Sequence, residues 1–124
     1  MTGITRTIVS LPDDRIHVSL AAHAQGFRYD ITLYMPNGAG GFSDGQVVGS
    51  GENAHTQWIG VGSAVAGALV KVCVASSGGL PSRNEIVVRL QLERESGLFE
   101  DLHIWRIAPG LPAGDYKCLT MQFR

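Results

Sequence analysis

Residues 27–35 read FRYDITLYM, and this stretch decides the fold. Apolar side chains stand at every second position, and mostly polar ones fill the positions between them. A period of two is the pattern of a strand with one buried and one exposed face. The segment therefore predicts a half-buried β-strand, with Tyr34 as an exposed ring on its polar face.

The same alternation recurs along the chain. It is clear in residues 85–93, EIVVRLQLE, and in residues 15–23, RIHVSLAAH. Residues 68–76 predict a fourth strand whose valines face inward. Weaker candidates bring the total to about eight strands, and they cover residues 4–9, 55–61, 99–107 and 116–123.

Glycine and proline turn sequences separate these candidates, as at residues 77–82 and 109–114. No amphipathic helix of convincing length fits between them, and the Ala- and Val-rich residues 63–69 favour a bend because Gly62 and Gly67 bracket them. Many short strands with one apolar face each predict an all-β fold. We expect a two-sheet antiparallel β-sandwich of the Ig-like or jelly-roll type, with a barrel as the alternative.

The bulk properties restrict the class of protein. The 124 residues carry no repeat or change of composition, so we expect one domain over residues 1–124. A formal net charge of -1 supplies no general attraction for phosphate or anionic lipid, which argues against nucleic-acid partners. No apolar run is long enough to span a bilayer, so no membrane partner is expected.

Cysteine usage bears on the compartment. Cys73 and Cys118 lie in predicted strands, and the start at Met1 shows no leader pattern. Two cysteines in a chain that can build its own core favour free thiols in the cytoplasm. A disulfide in an exported protein is the alternative.

The glycine-rich segment 36–54 breaks the strand rhythm and predicts a long loop, in which residues 46–48 could form a short strand. Its acidic residues Asp44 and Glu52 could join backbone carbonyls around Ca²⁺, but a solvated loop is favoured. The four histidines show no metal-ligand spacing. The sequence therefore predicts no metal ion and no cofactor.

Catalytic signatures are missing as well. The sequence contains no GxSxG motif and no phosphate-binding loop. A small enzyme stays open as a second hypothesis, with four candidate acid–base residues: His55, His103, Asp101 and Asp44.

Aromatic residues offer the remaining signal. Trp58 shares its strand parity with glycines, which indicates an outer-face ring, although a core tryptophan is favoured in a sandwich. Asp101, His103 and Trp105 share one parity, and a polar row that ends in an aromatic ring is typical of a strand-face binding site. Together with Tyr34, these residues are the candidate ligand contacts.

The leading functional hypothesis is a non-enzymatic binding module. It would recognise a protein surface or a carbohydrate through loops and one sheet face. A purely structural subunit of a homo-oligomer is the third hypothesis, because an uncovered edge strand could pair with a second copy.

Overall fold

The computed structural model describes residues 3–8, 12–22, 27–52, 55–76, 86–93, 97–107 and 116–123. Within these ranges the chain forms nine strands and one turn of helix. The strands make two sheets that enclose a common core, so the predicted all-β sandwich is confirmed. In chain order the elements are β1 (Gly3–Ile8), β2 (Arg15–Ala22), β3 (Phe27–Tyr34), β4 (Gln46–Glu52), β5 (His55–Val61), α1 (Gly62–Val65), β6 (Leu69–Ser76), β7 (Ile86–Glu93), β8 (Phe99–Ile107) and β9 (Tyr116–Phe123).

One sheet has five strands and the other has four. The order in the five-stranded sheet is β1-β9-β6-β3-β4, and the order in the four-stranded sheet is β5-β2-β7-β8. Neighbouring strands pair antiparallel except at one edge, where β1 runs parallel to β9. The hairpins β3–β4 and β7–β8 stay within a sheet, whereas the other connections cross between sheets.

The predicted strands agree closely with the observed ones, and the glycine-rich segment holds one more. Residues 46–52 form β4, which pairs with β3, so the proposed short strand at residues 46–48 is confirmed and extended. The preceding turn is organised by Asn37, whose Oδ1 accepts hydrogen bonds from the backbone N–H groups of Ala39 and Gly41 at 2.9 and 3.2 Å. Gly38 and Gly40 adopt φ of 80° and 86°, a conformation that glycine permits.

The bend expected near residues 63–69 was wrong in part, because Gly62–Val65 forms a helical turn. Val65 is buried in the core, and this burial stabilises the helical turn. Gly62, the first residue of the turn, has a low helix propensity and would by itself disfavour it. The predicted turns at residues 77–82 and 109–114 lie outside the described residues.

The core consists of the inward-facing side chains of both sheets. Alternation along each strand fills it, as the sequence predicted, and fully burying each large aliphatic or aromatic side chain contributes about 1.5–3 kcal/mol. The four-stranded sheet supplies Ile16, Val18, Leu20, Ile59, Val88, Leu90 and Leu92, and the five-stranded sheet supplies Tyr29, Ile31, Val70, Val72, Val74, Leu119, Met121 and Phe123.

The expectation of free thiols was wrong. Cys73 on β6 and Cys118 on β9 are direct register partners with a Cα–Cα distance of 4.1 Å, and a disulfide joins them. The sequence did not reveal this pairing, because it depends on how β6 and β9 align. The 45-residue separation between the cysteines contains β7 and β8, which lie in the opposite sheet. The disulfide therefore joins the two ends of the segment that crosses to the opposite sheet and returns.

Replacing both cysteines by serine should lower the free energy of unfolding by about 4 kcal/mol, the chain-entropy value for a loop of this size. Urea denaturation of Cys73→Ser/Cys118→Ser against the oxidised wild type measures the loss. The reduced wild type is the matched control and should unfold at the midpoint of the double variant. Equal midpoints for oxidised protein and variant would contradict a stabilising disulfide.

Candidate functional site

Three aromatic rings lie in contact on the outer face of the four-stranded sheet. The ring centroids of Trp58 on β5 and His17 on β2 are 5.0 Å apart, and those of His17 and Phe99 on β8 are 4.9 Å apart. Both contacts are edge-on, with interplanar angles of 64° and 85°. We call Trp58, His17 and Phe99 the aromatic stripe, and it crosses the sheet from one edge strand to the other.

Strand register explains how these distant residues meet. His17 pairs with Trp58, and the bulge between Ile16 and His17 sets this alignment. Phe99 pairs with Glu93 on β7, which lies between β8 and β2. Since neighbouring strands are about 4.8 Å apart, the Phe99 ring must lean across β7 to contact His17.

The two outer rings of the stripe are accessible. Trp58 is 41% exposed and Phe99 is 45% exposed, whereas the His17 side chain between them is only 12% exposed. The interpretation of Trp58 as a core residue, favoured from the sequence, is therefore wrong. Its outward parity decides the position, because the inward neighbour Ile59 fills the core.

Charged and polar side chains border the stripe on both sides and pair with one another. On one side, Arg15 Nε lies 2.5 Å from Glu93 Oε2, and the Arg15 guanidinium is 5.1 Å from the Trp58 ring centroid. On the other side, Gln91 donates a 2.8 Å hydrogen bond to Asp101, whose other oxygen lies 3.7 Å from Arg89 Nε. On this face, the exposed rings thus lie beside charged side chains that are paired with one another.

His17 is the most constrained member of the stripe. Its Nε2 is buried without a hydrogen-bond partner and lies 3.9 Å from Glu93 Oε1. Burial lowers the pKa of His17, Glu93 opposes this effect in part, and Arg15 adds to it. The neutral imidazole is therefore the form that the folded protein favours.

The structure distributes the predicted site residues over different surfaces. Trp58 and Asp101 both lie on the outer face of the four-stranded sheet, but on its opposite edge strands, β5 and β8. His103 and Trp105 pair with the core residues Leu90 and Val88, and their side chains lie outside the described part of the structure.

The shared parity expected for Asp101 and His103 was wrong. A register shift between Leu90 and Gln91 separates the pair Leu90–His103 from the pair Gln91–Asp101. A bulge adds one residue to a strand, so the positions on either side of it no longer alternate regularly.

Tyr34 belongs to the other sheet, and it is half-buried rather than exposed as predicted. A Cβ atom on Gly45 would lie 2.5 Å from the Tyr34 ring, so the ring rests directly on this glycine. Tyr34 is thus a packing residue of the β3–β4 hairpin.

Sequence reasoning missed His17, Arg15, Glu93 and Phe99. The alternation in residues 15–23 already puts Arg15 and His17 on the outer face of β2, so their outward orientation had a visible signal. No local signal indicated that Arg15 and His17 lie close to Trp58, because this proximity depends on the register between β2 and β5.

The other titratable groups of interest are engaged in separate contacts. The His55 ring stacks on Tyr29 with centroids 5.4 Å apart, and His55 Nε2 donates to Gln57 Oε1 at 3.0 Å. Glu52, considered for Ca²⁺, lies on β4 with its Oε1 3.9 Å from Arg28 Nε. Across the described ranges, no three His, Cys, Asp or Glu residues converge as metal ligands.

A membrane-spanning helix is not found among the described residues, where α1 spans four residues. Comparison with models of known families, with curated proteins and with solved structures found no significant match.

Stability should depend on the protonation of His17. The pKa of His17 is lower in the folded state, so the contribution to stability is complete above the ordinary value of 6.5 and is lost as pH falls below it. We expect the melting temperature of the wild type to drop between neutral and mildly acidic pH, and His17→Gln to reduce that drop. Parallel pH profiles for both proteins would contradict this assignment.

Proposed function

We propose that this protein is a non-enzymatic binding module and that its ligand is a carbohydrate bound on the outer face of the four-stranded sheet. The observation that carries the proposal is the aromatic stripe, with two exposed rings and paired polar side chains along both borders. This face is assembled from all four strands of the sheet, so it rests on a rigid element.

The chemistry of the face suits a sugar. A pyranose ring has apolar C–H faces and a rim of hydroxyl groups, so it stacks on aromatic rings while it hydrogen-bonds to planar polar groups. Trp58 and Phe99 supply the rings. Glu93, Gln91 and Asp101 supply acceptors and donors beside them.

A carbohydrate fits this face better than a protein surface does. The centre of a protein interface is depleted in Glu, Asp and Lys, although Arg is enriched there. Here the carboxylate of Glu93 lies beside the rings, 3.9 Å from His17 Nε2, rather than at a distant rim. We therefore prefer a carbohydrate ligand to protein binding or self-association.

The enzyme hypothesis receives less support from the described residues. Asp101 contacts Gln91 and Arg89, whereas His55 contacts Tyr29 and Gln57. An acid–base pair would require such groups to converge on one accessible site. These contacts place them in separate local networks.

The disulfide also changes the proposed compartment. The cytoplasmic default rested on free thiols, and a Cys73–Cys118 bond removes that argument. Disulfides persist in oxidising environments, so we propose that the protein works outside the reducing cytoplasm. A carbohydrate ligand is compatible with that location.

The proposed function is tested by a glycan array with Trp58→Ala as the diagnostic variant. We expect specific, competable binding by the wild type and a loss of about tenfold or more in affinity for the variant, equivalent to ~1.4 kcal/mol. Trp58 is 41% exposed and packs on His17, so the variant should stay folded with a melting temperature lowered only by the loss of this surface contact.

Phe42→Ala is the matched control, because Phe42 is an exposed aromatic residue on the β3–β4 turn of the other sheet. Phe42→Ala should bind the glycan with the affinity of the wild type. A silent array would reject the carbohydrate proposal. In that case a defined oligomer in light scattering, disrupted by Trp58→Ala, would assign the face to self-association instead.

A further inference from the structure

We infer that the ligand is a neutral, extended oligosaccharide that lies across the strands, from Trp58 on β5 to Phe99 on β8. This inference rests on the proposed function and adds the charge, the shape and the direction of the ligand. Two features of the aromatic stripe carry it: the spacing of its rings and the pairing of the charges beside it.

The ring spacing indicates an extended chain. Successive centroids in the stripe are separated by 5.0 and 4.9 Å, and the second distance is this short because Phe99 leans across β7. Successive pyranose rings of an unbranched glycan repeat at a similar interval. Because the ring contacts are edge-on, one sugar unit can stack on each of the exposed outer rings, Trp58 and Phe99, and a third unit between them passes over His17.

The direction follows from the strands that carry the rings. Trp58 lies on the edge strand β5, His17 lies on its neighbour β2, and Phe99 lies on the opposite edge strand β8. A chain that contacts all three rings must run across the strands. His17 is recessed between the more exposed outer rings, so it forms the floor under the middle sugar.

The charge pairing indicates a neutral ligand. Among the described residues beside the stripe, Arg15 is paired with Glu93 and Arg89 lies near Asp101, so both cations have an acidic neighbour. An anionic sugar would have to compete with those carboxylates and would meet them at close range. A hydroxyl group both donates and accepts, so it can hydrogen-bond to either partner while the ion pair persists.

The polar groups also set where hydrogen bonds to the sugar would form. Arg15 and Glu93 border the Trp58 end, and Gln91 and Asp101 border the other long side of the stripe. The ligand is thus held between two polar borders with the rings beneath it. This arrangement orients the oligosaccharide without a deep pocket.

The experiment is a calorimetric titration with unbranched neutral oligosaccharides of increasing length, taken from the glycan class that the array identifies. We expect the affinity to rise by about tenfold or more, or ~1.4 kcal/mol, from the monosaccharide to the trisaccharide and then to level off. The dissociation constant of the trisaccharide should change less than about twofold when salt is raised from low to high ionic strength, because no net charge is neutralised.

Phe99→Ala tests the far end of the site. It should reduce the affinity for the trisaccharide to that for the disaccharide and leave the disaccharide affinity unchanged, whereas Trp58→Ala should weaken binding at the other end. Phe99→Tyr keeps the ring and should keep wild-type affinity, so a folding defect is distinguishable from loss of the contact. Phe42→Ala again serves as the control on the other sheet.

The possible failures are distinguishable. Binding restricted to anionic glycans, with affinity that falls steeply with salt, would overturn the neutral ligand and leave carbohydrate binding intact. A monosaccharide that binds as tightly as the trisaccharide would overturn the extended ligand. No binding to any sugar would remove the proposed function itself.

Discussion

Burial of one apolar face of each strand between the two sheets is the constraint on which the rest of the structure depends. Because side chains alternate along a strand, filling the core with every second residue sends the others outward. On β2, burial of Ile16 and Val18 obliges Arg15 and His17 to point away from the core. The residues that we propose to bind a ligand therefore point outward because of the same alternation that fills the core.

Two register irregularities adjust that simple alternation where the candidate site lies. The bulge beside His17 aligns it with Trp58, and the shift after Leu90 puts Asp101 opposite Gln91 on the outer face. Bulges alter the twist and redirect individual side chains. Both lie at the stripe or at its polar border, and a third irregularity lies between Ile31 and Thr32 in the five-stranded sheet.

The disulfide lies in the five-stranded sheet, but the segment that it closes includes two strands of the four-stranded sheet. Between Cys73 and Cys118 the chain leaves for the four-stranded sheet, forms β7 and β8, and returns. These two strands carry Phe99 and the polar residues beside it. Restricting the ends of this segment lowers the entropy of the unfolded chain, so the bond favours the state in which the face is assembled.

The sequence by itself determined the all-β class, most strand positions and the inward face of each regular strand, because periodicity is a local property of the chain. Only the tertiary structure decided that Cys73 meets Cys118 and that His17 meets both Trp58 and Phe99. It also showed that Trp58 is exposed and Tyr34 half-buried. These facts depend on register, bulges and strand order, which arise from contacts between residues far apart in sequence and leave no local pattern.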